Sequence, residues 1–185
     1  MPRKPRIDYA GALQHVAVNG NNREPMFVDA IDRMNLLALL RGTAERYQWQ
    51  VWSFCLMDTH WHMLLRTPRT LSLGMQRLNT CYSRTFNGRH GRSGHSIRHK
   101  FMSVPVETDV HLRELTRYIP LNPVRAGLAS HPEDWPWSSY RAELGLEPAP
   151  DWTDAGWAST VHGGTDRLRS FVDAGMAADA PALSA

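Results

Sequence analysis

Residues 49–66, WQVWSFCLMDTHWHMLLR, constrain this chain more than any other stretch. Two apolar runs flank a polar corner, Asp58-Thr59, the pattern of two antiparallel strands closed by a tight turn. In the first run, strand alternation puts Trp52, Phe54 and Leu56 on one face and Val51, Ser53 and Cys55 on the other. The second run, His60 to Arg66, returns beside it. Residues two apart in a strand share a face, so His60 and His62 stand side by side while Trp61 points the opposite way.

The elements around this hairpin follow from the same periodicities. Gln14 to Asn19 alternates and is β-rich, and the GNNREP that follows is turn-like. A helix comes next, with Asp29 as its cap, Asp32 in capping-box position and Leu36, Leu37, Leu40, Ala44 and Tyr47 as its apolar stripe. After the hairpin, Leu71, Met75, Leu78, Tyr82 and Phe86 define a second helix with Gly88 as its stop. Arg77 and Arg84, seven residues apart, lie on its exposed side. The linker GRHGRSGHSIRHK is Gly-rich, basic and expected to be mobile. FMSVPVE is a short strand in which Pro105 indicates an edge or an end. A third helix starts near Thr108 or Asp109, with Leu112, Leu115 and Ile119 facing inward.

The order β, α, β, β, α, β, α predicts an α+β fold, an antiparallel sheet with helices packed on it, of ferredoxin-like kind. One domain is expected over residues 1–146. The C-terminal extension, 147–185, is expected to hold one helix around Asp166 to Ala174 and to end in a disordered tail, MAADAPALSA.

Composition narrows the classes of function. No run of about 18 apolar residues is present, and MPRKPRIDYA lacks the apolar stretch of a signal peptide, so the expected compartment is the cytoplasm and no membrane partner is indicated. Cys55 and Cys81 form no CxxC pair, which argues against a disulfide framework or a cysteine-rich zinc site. Charge is segregated: between Asp58 and Glu107 there are eight cations and no acid. Such a block creates a local positive field that fits nucleic acid, a solvated basic face being the alternative.

The histidine pair is a two-point metal grip, or else two satisfied core histidines. Imidazole suits Zn, Mn, Fe or Ni, and with oxygen ligands completing the shell Mg²⁺ or Mn²⁺ also fits.

Five blocks in collinear order sharpen this: GNNREPMF, LMDTHWHMLL, GMQRLNTCYSRTFNGRHGRSGH, YIPLNPVRAGL and DWPWSSYR. Together they resemble the REP-associated tyrosine transposases, a branch of the single-tyrosine transposases with a His-hydrophobic-His signature, over about residues 13–145. The resemblance implies that Tyr118 attacks a phosphodiester of single-stranded DNA, leaving a 5′-phosphotyrosine and a free 3′-hydroxyl. It implies a divalent metal, Mg²⁺ or Mn²⁺, on His60 and His62, with Asn122, one helical turn past Tyr118, as third ligand. It implies recognition of short palindromic hairpins, along which Arg77, Arg84, Arg89, Arg92, Arg98 and Lys100 would track the backbone. It leaves monomer and homodimer both open.

The chain departs from the family pattern at two places. Pro120 stands between Tyr118 and Asn122, where proline removes a backbone donor. Thr59 stands where asparagine commonly precedes the first histidine. Taken without the resemblance, Tyr118 also reads as a core aromatic, and Trp135-Pro136-Trp137 reads as packing of the C-terminal extension onto the sheet. The competing functions are a catalytically silent DNA-binding protein for repetitive palindromes and a metal-dependent phosphodiesterase that uses water. A ferredoxin-like RNA-binding module is weakened by the lack of an RNP-type aromatic motif.

Overall fold

A computed structural model describes residues 9–21, 24–68, 71–94, 96–97 and 101–177. Four strands form one antiparallel sheet: β1 (Leu13–Asn19), β2 (Gln50–Leu56), β3 (His60–Arg66) and β4 (Met102–Pro105), in the spatial order β2-β3-β1-β4. The crossovers β1 to β2 and β3 to β4 run through helices α1 (Ala30–Tyr47) and α2 (Leu71–His90). This is the split βαβ arrangement that the element order predicts. Helix α3 (Asp109–Arg125) follows β4, and α4 (Tyr140–Glu143), α5 (Trp157–His162) and α6 (Thr165–Ala177) complete the described chain. No helix among the described residues is long and apolar enough to cross a membrane.

The sheet is buried on both faces. Val16, Val18, Phe54, Leu56, Trp61, Met63 and Leu65 pack against Leu36, Leu40 and Ala44 of α1 and Met75, Leu78, Tyr82 and Phe86 of α2. On the opposite face Leu13, Cys55 and Leu64 meet Leu115, Ile119 and Leu121 of α3, with Tyr140, Trp157, Leu168 and Val172 beyond them. Residues 147–177 thus share the core of the α3 face, and they hold two helices where one was expected. Of the expected disordered end, residues 176–185, Met176 and Ala177 are instead the last residues of α6, and residues 178–185 lie outside the described residues.

Burial outweighs propensity in α3. An interior proline costs about 3 kcal/mol, and α3 holds both Pro120 and Pro123, yet it stays helical across them. Leu115, Ile119 and Leu121 are almost completely buried, and each contributes about 1.5–3 kcal/mol. The donor missing at position 123 is replaced by a side chain: Asn122 Nδ2 donates to the Ile119 carbonyl at 3.2 Å and to the Tyr118 carbonyl at 2.8 Å. The donor lost at Pro120 does not break the Tyr118-to-Asn122 turn, which stays within the continuous helix.

Two sequence expectations fail for local reasons. A β-bulge between Val51 and Ser53 leaves Trp52 as the extra residue, so Val51 joins Phe54 and Leu56 on the α1/α2 face. Trp52 turns to the other face and meets Trp157, with ring centroids 5.3 Å apart. Strict alternation cannot foresee an inserted residue. Helix α2 also runs past Gly88 to His90. Its last turn is tied to the start of α1 by ion pairs from Arg89 to Asp29 and Asp32 and by His90 Nε2 on Asp32. The chain turns at Gly91 instead, whose φ of 59° is the left-handed conformation that suits glycine.

Candidate active site

The two histidines are placed by a firmly held corner. Gly20 N–H donates to the Thr59 carbonyl and Met26 N–H to the Asp58 carbonyl, each at 2.8 Å. Arg33, itself buried, ion-pairs with the Asp58 carboxylate and lies over the rings of Phe27, Trp135 and Trp137. Trp135 Nε1 donates to the Leu56 carbonyl at 3.0 Å, and Leu56 N–H donates to the Trp137 carbonyl at 2.8 Å. The Trp-Pro-Trp segment is thus packed onto the end of β2, as expected. The Thr59 departure is absorbed too: its Oγ1 lies 3.1 Å from His60 Nδ1.

β3 then presents His60 and His62 to the α3 face, their rings 5.1 Å apart and perpendicular. α3 brings Tyr118 against His62, the two rings 5.5 Å apart. A residue that sequence reasoning missed completes the group. His15, on β1, lies 5.7 Å from the Tyr118 ring, and its Nε2 is 3.2 Å from His62 Nδ1. A second omission is Arg125, whose guanidinium carbon is 5.5 Å from the centre of the Tyr118 ring. Seven residues past Tyr118, it shares the tyrosine's helical face, and that spacing was available in the sequence.

Burial sets the protonation of the cluster. It lowers His62 well below the ordinary imidazole value, with His15 and His60 adding to the effect. His15 is lowered to about 4, first by burial and then by nearby His111. His60 is lowered by burial, partly offset by Asp58. All three rings are therefore neutral at pH 7, the state in which imidazole donates to a metal. Tyr118 is raised by burial, with Arg125 pulling the other way. The site holds its phenol protonated at rest and places a cation beside it.

Among the described residues no three His, Cys, Asp or Glu side chains converge as a metal cage. The donor chemistry nonetheless fits a divalent ion held in part by a substrate. Nδ1 of His60 faces Thr59 Oγ1 and Nδ1 of His62 faces His15, so Nε2 is the ring nitrogen left to each for a metal. Asn122 spends its amide nitrogen on two carbonyls, which leaves its Oδ1 as a donor.

The expected DNA-binding cations are not gathered at this site. Arg77 and Arg84 are exposed on α2, which covers the opposite face of the sheet. Arg89 is engaged by Asp29 and Asp32, and Arg92 by Glu24. Arg98 and Lys100 lie outside the described residues, as does part of the basic linker.

A four-stranded antiparallel sheet with an imidazole pair on one central strand and a tyrosine helix across it defines a class, and the sequence comparison names it. Residues 9–122 match the family described as "Transposase IS200 like", and the chain belongs to that family. Within it, the chain is 25% identical over 125 residues to a Haemophilus influenzae protein named as a REP-associated tyrosine transposase, covering 60% of this chain and 71% of that one. In fold it resembles a solved REP-associated tyrosine transposase bound to a REP hairpin. That match has a TM-score of 0.67 at 20% identity and covers 83% of this chain and 94% of the other.

Proposed function

We propose that this transposase nicks and rejoins single-stranded or hairpin DNA through a covalent link between Tyr118 and the 5′-phosphate of the cut strand. The observation that carries the reading is the convergence of Tyr118, His60 and His62 of a single chain on one face of the sheet, with Tyr118 and His62 5.5 Å apart. The REP hairpin bound to the structurally similar transposase supports a palindromic hairpin as substrate. The cytoplasm is the compartment in which such DNA is met.

His60 and His62, with Asn122 Oδ1, would hold Mg²⁺ or Mn²⁺, which when bound supplies Lewis-acid stabilisation of phosphate charge. Tyr118 Oη gives up its proton to solvent and attacks phosphorus; the O3′–P bond breaks, the 3′-oxygen leaves and takes a proton from solvent to become the 3′-hydroxyl, and the phosphate stays on the tyrosine. A phenol near its unperturbed pKa of about 10 is a weak nucleophile. Burial raises Tyr118 further, and Arg125 opposes that rise only in part by favouring the phenolate. Attack of a 3′-hydroxyl on the phosphotyrosine reverses the step and rejoins the strand.

The test is the polarity of the cut. A labelled hairpin carrying single-stranded flanks is incubated with protein and Mn²⁺, then offered to a DNA polymerase with labelled nucleotides. A free 3′-hydroxyl on the upstream fragment, together with a protein-blocked 5′ end on the downstream one, is the expected result. A free 5′-phosphate would indicate the water-using phosphodiesterase instead, and bound but uncut DNA would indicate the silent binding protein.

A further inference from the structure

We propose that His15 is a positioning residue for the metal site: it accepts the Nδ1 proton of His62 and so fixes the His62 tautomer that leaves Nε2 bare for a divalent ion. This rests on the reading of His60 and His62 as metal ligands. The contact is specific in its geometry. His15 Nε2 and His62 Nδ1 are 3.2 Å apart, the two ring planes are tilted by only 20°, and the centroids are 5.3 Å apart. With the rings nearly parallel, one nitrogen of each only 3.2 Å apart and the centroids 5.3 Å apart, most of the separation lies along the ring planes, an edge-to-edge contact through the two nitrogens rather than face-to-face overlap.

Two neutral imidazoles sharing one hydrogen bond have a choice. Either His62 donates from Nδ1 and keeps a lone pair on Nε2, or His15 donates from Nε2 and His62 carries its own proton on Nε2, where it would block an ion. Only the first arrangement makes His62 a ligand. His15 is held for this role by the sheet itself. β1 is a central strand paired on both sides, with His15 opposite Leu64 of β3 and Val104 of β4, and the side chain is only 7% exposed. Water cannot readily take its place as acceptor. On the other histidine, Thr59 Oγ1 stands in the corresponding position at His60 Nδ1. The pair is thus oriented by one hydroxyl and one imidazole, each contributed from outside the pair.

The test starts with metal-free wild-type protein carrying ¹⁵N-labelled histidine, and reads the tautomer of His62 from two-bond ¹H–¹⁵N correlations. A proton on Nδ1 is expected; a proton on Nε2 overturns the proposal whatever the metal does. Mn²⁺ titrations followed by electron paramagnetic resonance then compare variants. His15→Ala should bind Mn²⁺ about 10- to 100-fold more weakly. His15→Gln, whose amide oxygen can accept the same proton, should recover most of the loss, and equal weakening in both variants would overturn the proposal. His62→Ala separates the two claims. If it binds Mn²⁺ as wild type does, the metal reading itself fails and takes the proposal with it. If it loses binding while His15→Ala keeps wild-type affinity, only the role of His15 fails.

Discussion

Single residues in this site are governed by burial more than by their neighbours' charges. His15 is the clearest case, lowered from 6.5 to about 4 chiefly by burial. Because the folded value lies below the unfolded one, the stability linked to His15 is fully present above pH 6.5. It is lost as pH falls from about 6.5 to 4, where the unfolded chain takes up the proton and the folded chain does not. The shift corresponds to an upper limit of about 3 kcal/mol. Melting temperatures measured in steps from pH 7 to 4 should therefore fall, and His15→Gln should flatten part of that fall; an unchanged slope would mean that His15 is not the group responsible. Arg125 makes a second prediction. It is the cation beside the Tyr118 phenol, so Arg125→Gln should slow covalent attachment to DNA by about tenfold or more while leaving the melting temperature near wild type. The residues of the site were legible in the sequence wherever the relation between them is local. His60 and His62 follow from strand alternation, and Tyr118 and Asn122 from one turn of helix plus the family resemblance. His15 was not legible, because only the register of β1 on β3, which pairs His15 with Leu64 and Ala17 with His62, brings its side chain to a residue 47 positions away.

Elements here tolerate broken local rules where packing or a side chain compensates. Helix α3 carries Pro123, and Asn122 Nδ2 occupies the Ile119 carbonyl that the missing N–H would have served. Asn122→Ala should accordingly lower stability in urea by about 1 kcal/mol, and the loss should shrink in a Pro123→Ala background, where the backbone donor returns. Equal losses in both backgrounds would remove this account of how the helix survives its prolines. Helix α2 shows the opposite balance. Gly74 lies against the ring of Trp49, so an added methyl would overlap the indole. Gly74→Ala should gain about 1 kcal/mol in helix propensity but lose about 1–3 kcal/mol to overpacking, and the protein should melt lower. Element identity and order were readable from periodicity through α3 and for α6, whereas the short helices α4 and α5 carry too few turns to show a period. The bulge at Trp52 and the continuation of α2 to His90 were not readable either, since the first depends on an inserted residue and the second on ion pairs to a distant helix start.

At the scale of the molecule, one sheet separates two surfaces. The histidines and Tyr118 occupy the α3 face, while Arg77 and Arg84 are exposed on α2 behind the other face. Sequence showed the block of cations but not which of them the fold neutralises. Arg89 and Arg92 meet acids from residues 24–32, a segment distant in sequence. If the exposed pair holds phosphates, Arg77→Ala and Arg84→Ala should each weaken hairpin binding and reduce the salt dependence of log K by about one unit. Arg89→Ala should instead lower the melting temperature and leave the salt slope unchanged. Fluorescence anisotropy over a salt series separates these outcomes. The central claim, that Tyr118 becomes covalently joined to DNA, is tested most directly on a denaturing gel. Purified protein, Mn²⁺ or Mg²⁺ and labelled single-stranded hairpin DNA are incubated, with wild type run beside Tyr118→Phe and His62→Ala. Label that migrates with the protein only in the wild type and only with metal present is the predicted result. An adduct that persists in Tyr118→Phe, or cleavage without any adduct in the wild type, would contradict it.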